Sequence, residues 1–131
     1  MDNNNFEVEL YETWNGECPV EEFINTQNEE MQAKILKMFE LLEERGNSLG
    51  MPYSEHLIDG IYQVRARIGN NISRVLYFFG MKRAIVMTNG FLKKTQRTPL
   101  KEIKKAKRYR ADYVRLQKEI RHEKISGDIE G

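Results

Sequence analysis

The stretch IYQVRARIGNNISRVLYFF, residues 61–79, predicts two strands joined by a turn. Tyr62, Val64, Ala66 and Ile68 alternate with Gln63, Arg65 and Arg67. Successive side chains of a strand point to opposite faces, so one side is apolar and the other carries the arginines. The apolar side is the one expected in the core. Gly69, Asn70 and Asn71 tolerate positive φ and predict a hairpin into a second strand over 72–79. A two-residue turn at Asn70-Asn71 sets Arg67 opposite Arg74, with Arg65 on the same side. A three-residue loop would pair Arg74 with Ala66 and turn it to the other face. RAIVMTNGF, residues 83–91, follows through Gly80 and completes an antiparallel meander.

Upstream, FEVELY (6–11) alternates apolar and acidic positions and predicts a strand with one wet face. After the Asn15-Gly16 turn, Pro19 suits the first turn of a helix, where Glu21 and Glu22 meet the positive end of the dipole. Val20, Phe23 and Ile24 form its apolar side. A second helix runs from Glu29, with Met31, Ile35, Met38, Phe39 and Leu42 as core and Arg45 and Gly46 as its stop. Residues 47–56 are turn-rich and return the chain to the sheet. Downstream, Thr98 as cap and Pro99 as first residue open a long helix with Leu100, Ile103, Ala106, Tyr109, Tyr113, Leu116 and Ile120 along one stripe. Tyr109 and Tyr113 are core positions by this spacing. MDNNN and ISGDIEG offer little to bury and are expected to be loose ends.

A chain of 131 residues with 40% hydrophobic residues suits one domain with one core, here 1–131. Its longest apolar run, VLYFFGM, is far short of a membrane span, and no signal pattern opens the chain, so a soluble protein is expected. The single cysteine, Cys18, allows no internal disulfide or zinc knuckle and fits a reducing cytoplasm. Charge is unevenly placed. Residues 1–60 hold 3 basic and 14 acidic side chains, whereas residues 61–131 hold 18 and 6. Within Gly90–Arg110 there are nine lysines and arginines and one acid, Glu102. Such a distribution points to a nucleic-acid partner, unless the two halves neutralise each other on folding.

The arginine face and the end of the third strand carry the candidate chemistry. Arg65, Arg67 and Arg74 cluster as like charges that call for an anion, and Phe91, Lys93, Lys94 and Arg97 follow directly. Guanidinium forks and ammonium point charges suit phosphodiesters, and Phe91 could stack on an unpaired base. His56 and His122 are far apart, no cysteine pair exists, and no glycine-rich phosphate loop or nucleophile motif occurs, so neither metal nor cofactor is expected. Catalysis on nucleic acid by these groups is open to RNA alone. There the ribose 2′-OH attacks its own phosphodiester, and the protein orients it, stabilises the phosphorane and moves protons. Lys93 beside Lys94 is a candidate base, and His56, in the turn-rich segment, a candidate acid or base.

The element order, together with GIYQVR, SRVLYFF around Arg74, GFLKKTQRTP, the EIKKA helix and the PVEEF helix start, resembles the RelE/HigB superfamily of toxins from toxin–antitoxin pairs, in its phage-derived HigB-like branch. The resemblance covers about residues 6–116. It implies an α+β, RelE-like fold: a mainly antiparallel sheet with an N-terminal helix pair on one face and a long C-terminal helix. It implies a cytoplasmic endoribonuclease that cleaves messenger RNA, typically on the ribosome, and is held inactive by a helix-turn-helix, HigA-like antitoxin. By position it assigns catalysis to Arg65, Arg74, Lys93 and Lys94, with Arg67, Phe91 and Arg97 as substrate-binding helpers. The chain lacks the histidine-rich C-terminal end and the clear C-terminal catalytic tyrosine of better-known branches, Tyr109 and Tyr113 lying inside the helical stripe. A non-catalytic nucleic-acid- or protein-binding module of phage origin is the rival expectation.

Overall fold

The computed structural model describes residues 5–94 and 96–130, with side chains described through His122. Glu7–Leu10 form β1, Pro19–Asn25 α1 and Glu29–Arg45 α2; Ser54–Ile58, Ile61–Ile68, Asn71–Phe79 and Ala84–Leu92 form β2 to β5, and Leu100–Glu130 form α3. The strands make a five-stranded sheet in the order β1-β5-β4-β3-β2. Only the β1–β5 pair is parallel. Because β1 and β2 are the two edges, the helix pair between them has to cross the sheet.

Local chemistry sets the helix limits. Pro19 sits at the start of α1, and the Asn28 side chain accepts from the Met31 N–H at 2.8 Å to cap α2. At the other end of α2, Gly46 has φ 54° and its N–H returns to the Leu42 carbonyl. Met31, Ile35, Met38, Phe39 and Leu42, the expected stripe, are all buried. They pack with Val20 against Val64, Ala66, Val75, Tyr77, Ile85 and Met87 of the sheet. On the opposite face α3 lays Ala106, Tyr109 and Tyr113 over Ile61, Leu76, Phe78 and Val86. Tyr109 stacks on Tyr11 at 4.9 Å and Tyr113 meets Phe78 edge-on at 5.6 Å, so both tyrosines are core, as their spacing predicts. The α+β architecture expected from the resemblance is the one observed.

Three details differ from the sequence reading. Ser54–Ile58, within and just beyond the turn-rich segment, form the edge strand β2, too short for its alternation to stand out. The β3–β4 turn pairs Ile68 with Asn71 and takes Gly69, at φ 59°, as a turn residue, which sets Arg74 opposite Arg65 and not Arg67. A slip by two preserves the face, so the three arginines still share a side. That side is only partly open to solvent: Gln63 is 0% and Arg74 2% exposed beneath Thr98 and α3, whereas Arg67 is exposed. Of the expected loose ends, residues 1–4 and 131 lie outside the described residues, whereas residues 125–130 of ISGDIEG are not loose but continue α3, which runs to Glu130.

Gly90, opposite Val75 on the helix-pair face, shows how tightly α1 is seated, since a Cβ there would overlap the Phe23 ring. Gly90→Ala is therefore expected to cost about 1–3 kcal/mol in urea unfolding. Gly50→Ala, where a Cβ meets nothing within 4 Å, should leave the midpoint nearly unchanged.

A candidate anion site on the sheet face beneath the last helix

Pairing across three strands converts separate sequence positions into two rows. Arg65 of β3, Arg74 of β4 and Phe91 of β5 are register partners in one row. In the next, Arg67 pairs with Ile72, and the Lys93 N–H continues the ladder to the Ile72 carbonyl at 2.9 Å. The backbone thus brings Arg65, Arg67, Arg74, Phe91 and Lys93 to one end of one face. Phe91 is half-buried and packs into the core under α3. Exposed Lys94 follows Lys93 at the rim.

Arg74 is the unusual member. One guanidinium nitrogen donates to Gln63 Oε1 at 3.4 Å and to Thr98 Oγ1 at 3.2 Å, while its Nε is buried without a partner among the described residues. It forms no salt bridge among the described residues. Burial, and then the charge of Arg65, holds its pKa below the ordinary guanidinium range, against the pull of Glu55. A buried cation without its own carboxylate keeps a positive potential that a bound anion would relieve.

The carboxylate that reaches this face was not singled out from sequence. Glu55 of β2 pairs with Gln63 in register and bonds Arg65 at 3.0 Å. The Gln63 amide donates to the same Glu55 Oε1 at 2.9 Å, and Gln63 Oε1 accepts from Thr98 at 2.7 Å as well as from Arg74. Gln63 is therefore the hub of the network. Thr98, read as a helix cap, spends its hydroxyl on Gln63 and Arg74. Arg65 is also held by the Pro52 carbonyl at 3.3 Å, which leaves its side chain half-buried. Only register could have revealed Glu55, since it lies ten residues from Arg65 in a segment with no visible strand pattern.

His56 is placed elsewhere. It pairs with Tyr62, packs edge-on against that ring at 5.0 Å and accepts from the Gly60 N–H through Nε2 at 3.1 Å. Tyr62 belongs to the helix-pair face, so the candidate acid or base taken from the turn-rich segment is separated from the arginines by the sheet. Arg97 lies near Glu55 in an open cleft between β2 and α3. Among the described residues no three His, Cys, Asp or Glu side chains gather as a metal requires. The groups on offer at the end of the face where the arginines lie are guanidinium, ammonium and the Glu55 carboxylate; the buried Glu102 carboxylate lies farther along the same face, held by the Asn89 amide at 3.0 Å.

A family model described as "Phage derived protein Gp49-like (DUF891)" matches residues 22–111, which include every element from α2 to the first turns of α3 and all of the clustered cations. No curated protein matches the chain. No described helix is long and apolar enough to cross a membrane.

The uncompensated charge of Arg74 sets a test. Arg74→Met, similar in length and uncharged, should be as stable as the parent or more so in urea unfolding while binding single-stranded RNA more weakly. A large loss of stability would instead mark the guanidinium as structural.

Proposed function

The chain belongs to the Gp49-like family of phage-derived proteins, a family of RelE/HigB-like toxin type, and from that premise we propose that it is the endoribonuclease toxin of a toxin–antitoxin pair, cleaving messenger RNA on the ribosome without a metal. The observation that carries this reading is the direct cross-strand pairing of Arg65 with Arg74 over a single carboxylate. Like charges so placed are unfavourable until an anion joins them.

In the proposed reaction the 2′-OH attacks the adjacent phosphorus, the bond from phosphorus to the 5′-oxygen breaks, and that oxygen departs as a hydroxyl with a proton from the Lys93 ammonium, leaving a 2′,3′-cyclic phosphate. Arg65, Arg67, Lys93 and Lys94 hold the phosphate and the charge that builds on it. Arg74, buried, acts from behind through Gln63 and Thr98. Glu55 takes the 2′-OH proton: its Oε1 is held by Arg65 and Gln63, and Oε2 has no hydrogen-bond partner among the described residues. His56, on the other face, takes no part. A helix-turn-helix antitoxin encoded beside the toxin is the expected partner.

Arg74's burial and the Arg65–Glu55 bond favour a second reading, a non-catalytic nucleic-acid-binding module, in which these contacts only hold the surface in shape. Expression of the chain alone separates the two. As a nuclease it stops growth and creates new 5′ ends in transcripts mapped by primer extension. Arg65→Ala or Lys93→Ala should then lower cleavage by about a hundredfold or more with little change in thermal midpoint. Salt-sensitive RNA binding with no new ends would favour the module.

A further inference from the structure

The cleft between β2 and α3 has features the cation cluster alone does not explain. Its volume is about 450 Å³, within the range of sites that hold a small molecule. Leu57 and Ile58 line it from the strand side and Leu100 and Ile103 from the helix. Leu100 is 72% and Ile58 46% exposed, so large apolar groups from both elements are left open to water. Lys104 and Lys107 line the same space. Lys107 is bonded to Asp59 at 2.7 Å, whereas Lys104 makes no salt bridge among the described residues.

An apolar floor bordered by ammonium groups matches an unpaired nucleotide, whose base needs apolar contact and whose phosphate needs a cation. Glu55 is the one acid lining the cleft and is already tied to Arg65, so nothing here favours a basic or purely apolar guest. Position agrees with this. Glu55 and Thr98 line the cleft and are also members of the Gln63 network, so the cleft opens beside the arginine row. We propose that this cleft seats one unpaired nucleotide of the RNA strand next to the bond held at Arg65, with its base against Leu57, Ile58, Leu100 and Ile103 and its phosphate at Lys104. The assignment rests on the RNA reading given above and adds to it a subsite that would select single-stranded substrate.

The test uses the full chain and a short single-stranded RNA with 2′-O-methyl riboses, which cannot be cleaved, carrying 4-thiouridine at each position in turn. Irradiation should crosslink one position to peptides containing Leu57 and Ile58 or Leu100 to Lys104. Leu100→Asp, at a site too exposed to disturb the core, should weaken binding of this RNA by about tenfold. Crosslinks confined to other surfaces, or unchanged affinity of Leu100→Asp, would overturn the subsite, as would a cleft that takes a protein segment in place of RNA. The two readings fail separately. Crosslinking in the cleft with no cleavage of the matching 2′-hydroxyl RNA would refute the nuclease and leave the subsite standing. Cleavage at the parent rate by Leu100→Asp, with crosslinks elsewhere, would do the reverse. No measurable RNA binding would refute both.

Discussion

Two guanidinium groups stand opposite each other on neighbouring strands, Arg65 and Arg74, and share the field of one carboxylate. Gln63 makes the arrangement tenable. Its carbonyl oxygen accepts from Arg74 and Thr98, and its amide donates to Glu55, which in turn holds Arg65. Gln63 Oε1 is then shared between Thr98 and Arg74, and Arg74 Nε is left without a partner among the described residues. Placing an under-compensated cation in a buried row costs stability unless something else gains from it. An incoming phosphate is the gain that fits, because it meets donors already fixed in direction and needing little reorganisation.

The two faces of the sheet divide the work. The helix pair seals one face with a conventional apolar cluster and includes seven of the chain's 20 acidic residues. On the other, α3 packs its tyrosines over the centre of the sheet, while its leading segment crosses the arginine row and contributes Thr98. The charge imbalance between the halves is relieved only in part by folding. Arg65–Glu55 and Lys107–Asp59 are salt bridges between the halves, yet Lys101, Lys104 and Arg108 stay exposed on α3. A surface of that kind attracts a polyanion along its length.

Much of this was legible in sequence because it depends on period. The buried stripe of α2, the meander and the tyrosines of α3 follow from spacings of two, three and four, and the arginine face survives a register slip because a shift of two keeps parity. What stayed hidden depends on contacts between distant segments. β2 is short and turn-flanked, so Glu55 gave no sign that it would meet Arg65, and His56 no sign that it would face away. Thr98 looked like a cap by composition, but its hydroxyl donates to the buried Gln63 and accepts from the buried Arg74. Arg74 looked like a surface cation because alternation alone cannot say whether a second layer covers a polar face.

The central claim is that this row is a phosphate site with a surplus of positive charge. The most direct measurement is the slope of log affinity against log salt for a single-stranded, uncleavable RNA, compared between the parent chain and Arg65→Gln. A phosphate site gives a steep slope for the parent and one that is shallower by roughly 0.7 for the variant, the value of one lost phosphate contact. An identical slope in both proteins, or affinity indifferent to salt, would contradict it.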